Sequence, residues 1–165
     1  MISLNNFNLE SNGNAYTMLR LLTQEKSGLK VCHINAQSLV HKIDELRYIF
    51  EKSGIDVICI SETWFRPDMS SNLFKIYGYR LLRADRIDHA GGVAIYLKSN
   101  LKFKFIDKSP NDSEIEYLFL EFFSKVSKIL IGTVYRPNRT INTSFFNEYL
   151  REKSLNYNNI IIAGD

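Results

Sequence analysis

Four short apolar runs in this chain end in residues that could do chemistry on a phosphate. Residues 30–34 lead into Asn35, and residues 56–60 into Ser61 and Glu62. Residues 129–134 lead into Tyr135-Arg136-Pro137-Asn138, and residues 160–163 into Gly164 and Asp165. If these four ends share one sheet edge, an amide, two carboxylates, a phenol and an arginine converge. Such a set suits a hard divalent cation, which takes oxygen ligands, together with a phosphate. Each end alone is ordinary turn chemistry. Four together are a pattern, because α/β sheets build sites where strand ends meet loops.

The elements that must position these residues are legible from periodicity. Residues 29–34 form a short apolar strand. Ser38 is placed to cap a helix whose apolar residues Leu39, Ile43, Leu46 and Phe50 fall on one face, and Gly54 ends it. Residues 55–60 are a continuous run rich in Ile and Val, the mark of a strand buried on both faces. The runs 78–83, 91–97, 101–106, 117–123 and 129–134 read as successive strands, and their short connections favour antiparallel pairing. A helix over 144–153 and a last strand over 160–163 follow. This order predicts sheets covered by helices, α/β or α+β in class.

The chain has 165 residues, enough for one domain and too few for two ordinary ones. Its apolar content of 45% is that of a globular protein. Net charge is only +3, but residues 75–108 hold eight basic residues against three acids, a local +5. That stripe suits a phosphate backbone. It equally suits a solvated edge hairpin, whose lysines block sheet-to-sheet pairing. Cys32 and Cys59 lie inside apolar runs without metal-ligand spacing, so reduced, buried thiols in the nucleus or cytoplasm are expected. The Asn-rich start has no secretory apolar region, and no run reaches membrane-spanning length. Residues 1–27 are poorly patterned and read as a tail, with the domain over 28–165.

Five segments, in order, resemble the endonuclease/exonuclease/phosphatase superfamily. They are His33-Ile34-Asn35-Ala36-Gln37-Ser38-Leu39, Asp56-Val57-Ile58-Cys59-Ile60-Ser61-Glu62-Thr63-Trp64, Gly91-Gly92-Val93-Ala94-Ile95-Tyr96, Gly132-Thr133-Val134-Tyr135-Arg136-Pro137-Asn138 and Ile160-Ile161-Ile162-Ala163-Gly164-Asp165. In detail they are most similar to the endonuclease domains of non-LTR, LINE-type retrotransposons, which also encode a reverse transcriptase. The resemblance implies a four-layer sandwich, two mixed β-sheets face to face with helices outside, here incomplete at the C-terminus. It implies a DNA-nicking phosphodiesterase dependent on Mg²⁺ or Mn²⁺, with a downstream reverse transcriptase as partner in a parent polyprotein.

By position, the resemblance makes Glu62 the metal ligand and Asn35 the amide beside it. Tyr135 and Asn138 orient the scissile phosphate, and Asp165 positions or deprotonates the attacking water. Arg83 and Arg86 resemble basic residues that face nucleic acid, and Arg136 is a further candidate phosphate donor. Arg83, Arg86 and Lys98 or Lys102 are therefore expected along the cleft rim. The family's asparagine two residues after the aspartate, and its Ser-Asp-His motif, have no counterpart here. Inactivity of the 165-residue polypeptide is the corresponding expectation.

Two other readings stay open. One is a non-catalytic retroelement remnant acting as a binding module; the other is a phosphatase or phosphodiesterase of the same superfamily. Of the histidines, His33 reads as a packed strand residue, His41 as exposed and His89 as a turn residue. Trp64 and Phe65 suit a cleft wall or a core equally. Gly91-Gly92 reads as a tight turn opening a strand.

Overall fold

The computed structural model describes residues 2–4 (backbone), 27–87, 90–123, 127–137 and 142–165. The strands are β1 (Ile2–Leu4), β2 (Val31–Asn35), β3 (Val57–Ser61), β4 (Tyr79–Ala84), β5 (Val93–Lys98), β6 (Phe103–Lys108), β7 (Glu116–Phe123), β8 (Lys128–Tyr135) and β9 (Asn159–Gly164). Helix α1 (Ile43–Ser53) lies between β2 and β3, and helix α2 (Ser144–Ser154) between β8 and β9.

Two mixed sheets result. The first runs β1-β2-β3-β5-β4 and the second β6-β7-β8-β9. In the first, β1, β2 and β3 are parallel, and β5 is antiparallel to both β3 and β4. In the second, β6, β7 and β8 alternate in direction, and β9 joins parallel to β8. The β2–β3 and β8–β9 parallel pairs are each bridged by a helical crossover, α1 for the first and α2 for the second.

Three apolar clusters stack the layers. Leu46, Ile49 and Phe50 of α1 pack on Cys32, Ile34, Ile58 and Ile60 of the first sheet. Val57, Cys59, Ile95 and Leu97 meet Leu118, Leu120 and Ile131 between the sheets. Phe119 and Leu130 meet Phe146 and Tyr149 of α2 on the outer face of the second. This is the expected helix–sheet–sheet–helix sandwich. It explains why β3 is an unbroken apolar run: α1 covers one of its faces and the second sheet the other, leaving all five residues buried. Cys32 and Cys59 are buried and unpaired, and burial pushes the Cys59 thiol up to about 12.

Two expectations are corrected. Ser38 does not cap α1. The helix starts at Ile43 with its acids Asp44 and Glu45 in the first turn, where the helix dipole favours them, and Ser38 turns left-handed at φ 79°. The chain start, read as tail, contributes Ile2–Leu4 as an edge strand paired with Cys32–Ile34. The rest of that segment, residues 5–26, lies outside the described residues. Gly54 does end α1 in the left-handed conformation, at φ 73°.

Candidate active site

The four strand ends meet on one edge. The Asn35 side-chain amide Nδ2 donates to Glu62 Oε1 at 2.8 Å and to Asp165 Oδ2 at 2.7 Å. Asn35 and Glu62 come from the first sheet and Asp165 from the second, so one nitrogen ties the sheets together at the cleft. Asn35 Oδ1 accepts from the Gln37 amide at 3.1 Å, which fixes which way the side chain faces. Tyr135 lies against Glu62; burial first, then the Glu62 carboxylate, push its phenol up to about 12. Glu62, Tyr135, Arg136, Pro137 and Asp165 line one polar cleft.

The backbone holds this edge in place. Asp165 N donates to Val134 O at 3.1 Å and Arg136 N to Asp165 O at 2.9 Å, continuing the β8–β9 pairing to the last residue. Ala36 N donates to Ser61 O, Ser38 N to Glu62 O and Leu39 N to Thr63 O, which laces the two loops after β2 and β3. Gln37, Ser38, Glu62 and Trp64 all have positive φ, at 43°, 79°, 54° and 58°. Such angles cost about 1–3 kcal/mol each in residues other than glycine and persist only where the surroundings over-determine them. Here they cluster at the strand ends that carry Asn35 and Glu62.

The donors fit a hard cation. The carboxylate oxygens of Glu62 and Asp165 face the cleft, while His33 is buried and hydrogen-bonded to Ser61 Oγ at 3.1 Å. Burial pushes the His33 imidazole down, opposed by the Asp165 carboxylate, and it packs within β2 as expected. Among the described residues no three His, Cys, Asp or Glu side chains form a closed metal cage. A magnesium site needs none, since one or two carboxylates plus waters suffice.

The arginines divide. Arg136 is half-buried on the cleft wall. Arg86 Nη1 donates to Glu116 Oε1 at 2.9 Å, next to the site. Arg83 is occupied elsewhere. Its nitrogens bond Asp85, Ser71 Oγ and the carbonyls of Met69 and Arg66, and its guanidinium lies over Phe65 at 5.0 Å. All five N–H groups are used, so the nucleic-acid role expected from the sequence does not fit this packing cation. Lys98 and Lys102 are also corrected. Lys98 pairs with Asp56 at 3.0 Å, at the start of β3, the end opposite Glu62. Lys102 precedes Phe103, which pairs with Phe122 at the far end of β7. The +5 stripe therefore spreads over both ends of the sandwich and does not form one rim.

Phe65 is core, stacked on Phe74 with ring centroids 4.0 Å apart. Trp64 is partly exposed and lines a shallow groove with Ser38, His41, Arg66 and Met69. His41 is exposed, as expected. Asn138 and His89 lie outside the described residues.

Sequence reasoning missed Glu116. It is buried at 3% exposure and accepts from both Arg86 and the Gly92 amide. Burial pushes its carboxyl up, and the Gly92 amide and Arg86 oppose that. The available signal was direction. In an antiparallel partner of β8, the first residue shares an edge with the last residue of β8, and Glu116 pairs with Tyr135.

The chain matches the Endonuclease/Exonuclease/phosphatase family over residues 6–165 and belongs to it. No curated protein sequence matches. Among solved structures, the human Nocturnin catalytic domain with bound sulfate superposes at TM-score 0.59 and 15% identity, over 83% of this chain and 63% of that one. The Bacteroides thetaiotaomicron mannosyl-6-phosphatase gives 0.59 and 14%, over 84% and 65%. D. rerio TDP2 with single-strand DNA product gives 0.57 and 16%, over 85% and 61%. These likenesses establish the fold. The chain spans less than two thirds of the length of each of these structures.

Proposed function

We propose that this chain carries the metal-binding and phosphate-orienting part of a divalent-metal-dependent DNA phosphodiesterase of retroelement type. The observation that carries the reading is the Asn35 amide held between the Glu62 and Asp165 carboxylates, with the Tyr135 phenol against Glu62. Glu62 would hold Mg²⁺ or Mn²⁺, with Asn35 orienting its carboxylate. Asp165 positions or deprotonates the attacking water, and Tyr135 and Asn138 orient the scissile phosphate. Arg136 donates to a phosphate oxygen, and Arg86 stands beside the same cleft. The cation, when bound, stabilises the charge that develops on the phosphoryl oxygens.

The DNA substrate is supported by two neighbours, TDP2 with single-strand DNA product and a Neisseria 3′ phosphatase bound to a product DNA hairpin. The retroelement subtype, with a downstream reverse transcriptase and action in the nucleus or cytoplasm, rests on the Ser61-Glu62-Thr63-Trp64 and Tyr135-Arg136-Pro137-Asn138 segments. The described residues contain no helix long and apolar enough to cross a membrane.

The 165-residue polypeptide is expected to bind DNA with strong salt dependence and to show no measurable nicking. Losing one preorganised donor from such a site costs roughly a hundred- to a thousandfold in rate. Plasmid nicking in Mg²⁺, beside Glu62→Gln, tests this. Nicking that the substitution abolishes would refute the inactivity and support the phosphodiesterase reading. Hydrolysis of a small phosphomonoester with plasmid left intact would favour the phosphatase alternative.

A further inference from the structure

Glu116 opens β7 directly across from Tyr135 and is almost sealed from solvent. Its two oxygens have different partners. Oε1 takes Arg86 Nη1 at 2.9 Å, and Oε2 takes the Gly92 backbone amide. Both glycines of the Gly91-Gly92 turn press against this region. A Cβ at Gly91 would stand 2.5 Å from Glu116 Oε1, and one at Gly92 2.6 Å from Thr63 Oγ1. Both have positive φ, at 110° and 83°, so only glycine allows this approach at low cost.

The same turn reaches the loop that carries Glu62. Trp64 N donates to Gly91 O at 2.8 Å, and Thr63 N to Gly92 O at 3.1 Å. On the other side, the carbonyls of Glu62 and Thr63 accept from Ser38 and Leu39. Glu62 and Trp64 sit at positive φ within this lacing. A pair of consecutive glycines has the greatest backbone freedom of any dipeptide, so it can anchor a strained loop only if it is itself anchored. The Gly92–Glu116 bond is the side-chain tie that does this, and Arg86 holds the Glu116 carboxylate in place.

We propose that Glu116 and Arg86 form a positioning brace which, through Gly91-Gly92, holds the Glu62 loop in its left-handed conformation. The functional weight of the brace rests on the reading of Glu62 as the metal-holding residue, while the brace itself does not. Neither Glu116 nor Arg86 needs to touch the metal or the reacting atoms. Their effect reaches the site through two backbone hydrogen bonds.

Amide hydrogen exchange on the 165-residue chain tests the brace. In Glu116→Ala the Thr63 and Trp64 amides are expected to exchange about ten- to a hundredfold faster, as for loss of a hydrogen bond to a charged group. Cys59 and Ile60, inside β3, are expected to keep their protection. Glu116→Gln retains an acceptor for Gly92 and should recover part of the effect. If Glu116→Ala does not fold, Arg86→Ala asks the same question with a milder change. A folded variant whose Thr63 and Trp64 amides exchange like the parent's overturns the proposal, as does acceleration spread uniformly over the sheet. Mn²⁺ affinity, measured by water-proton relaxation on the same samples, separates the two readings. Faster Thr63 and Trp64 exchange in a chain whose parent binds no Mn²⁺ would support the brace and remove the metal-dependent function.

Discussion

Glu62→Gln is expected to lower the affinity of the chain for Mn²⁺ by about a hundredfold or more, because changes even in the groups that orient a metal ligand cost about ten- to a hundredfold. Glu62 is the carboxylate at the junction of Asn35, Tyr135 and Asp165. The glutamine keeps the side chain's length and its acceptor for Asn35, so the loss reports charge and oxygen donation with little change of shape. Asn35→Ala removes the bridge between Glu62 and Asp165 and is expected to cost about tenfold by the same reasoning. Calorimetric titration with Mn²⁺ checks both, with circular dichroism as the control for folding. An affinity unchanged in Glu62→Gln would remove Glu62 from the proposed metal site.

Arg83→Ala is expected to destabilise the fold by about 3–5 kcal/mol, the cost of breaking a buried ion pair from one side. The Arg83 and Asp85 side chains are only 11% and 12% exposed, and the pair closes at 2.7 Å. Without the guanidinium, Asp85 is left as a largely buried charge and two backbone carbonyls lose their donors. Arg83→Lys recovers little, because an ammonium cannot span a carboxylate and two carbonyls in one plane. Urea or thermal unfolding measures this; for a domain of this size the melting temperature should fall on the order of 10 °C. Arg136→Ala is the contrast. It should leave stability within about 0.5 kcal/mol, as surface changes do, and weaken DNA binding. If Arg83→Ala unfolds like the parent and binds DNA poorly, the structural assignment of Arg83 is wrong.

The arginines show where sequence reading stops. Arg83, Arg86 and Lys98 lie in one basic stripe, and composition cannot tell a cation that faces solvent from one already paired. The partners settle it, and most come from distant segments: Asp56 for Lys98, Glu116 for Arg86, and for Arg83 the 66–71 loop in addition to the neighbouring Asp85. Glu116 was overlooked for a related reason. One acid among Ser113, Glu114 and Ile115 looks like the solvated start of a strand. Only the antiparallel pairing of β7 with β8 brings it beside Tyr135 and under Gly91-Gly92.

By itself the sequence determined the order and type of nearly every element, because apolar periodicity reports how many faces of a segment are covered. It also determined the ends at which polar residues gather, since a strand's last residue must change partner from ladder to loop. Those signals are local, and they carried Asn35, Glu62, Tyr135 and Asp165 to the site. The tertiary structure alone decided which sheet each strand joins and which carboxylate faces which cation. It also decided that the 37–38 and 62–64 loops take left-handed backbone angles. These depend on contacts between residues far apart in the chain, such as Asn35 with Asp165, and no local propensity encodes a contact of that kind.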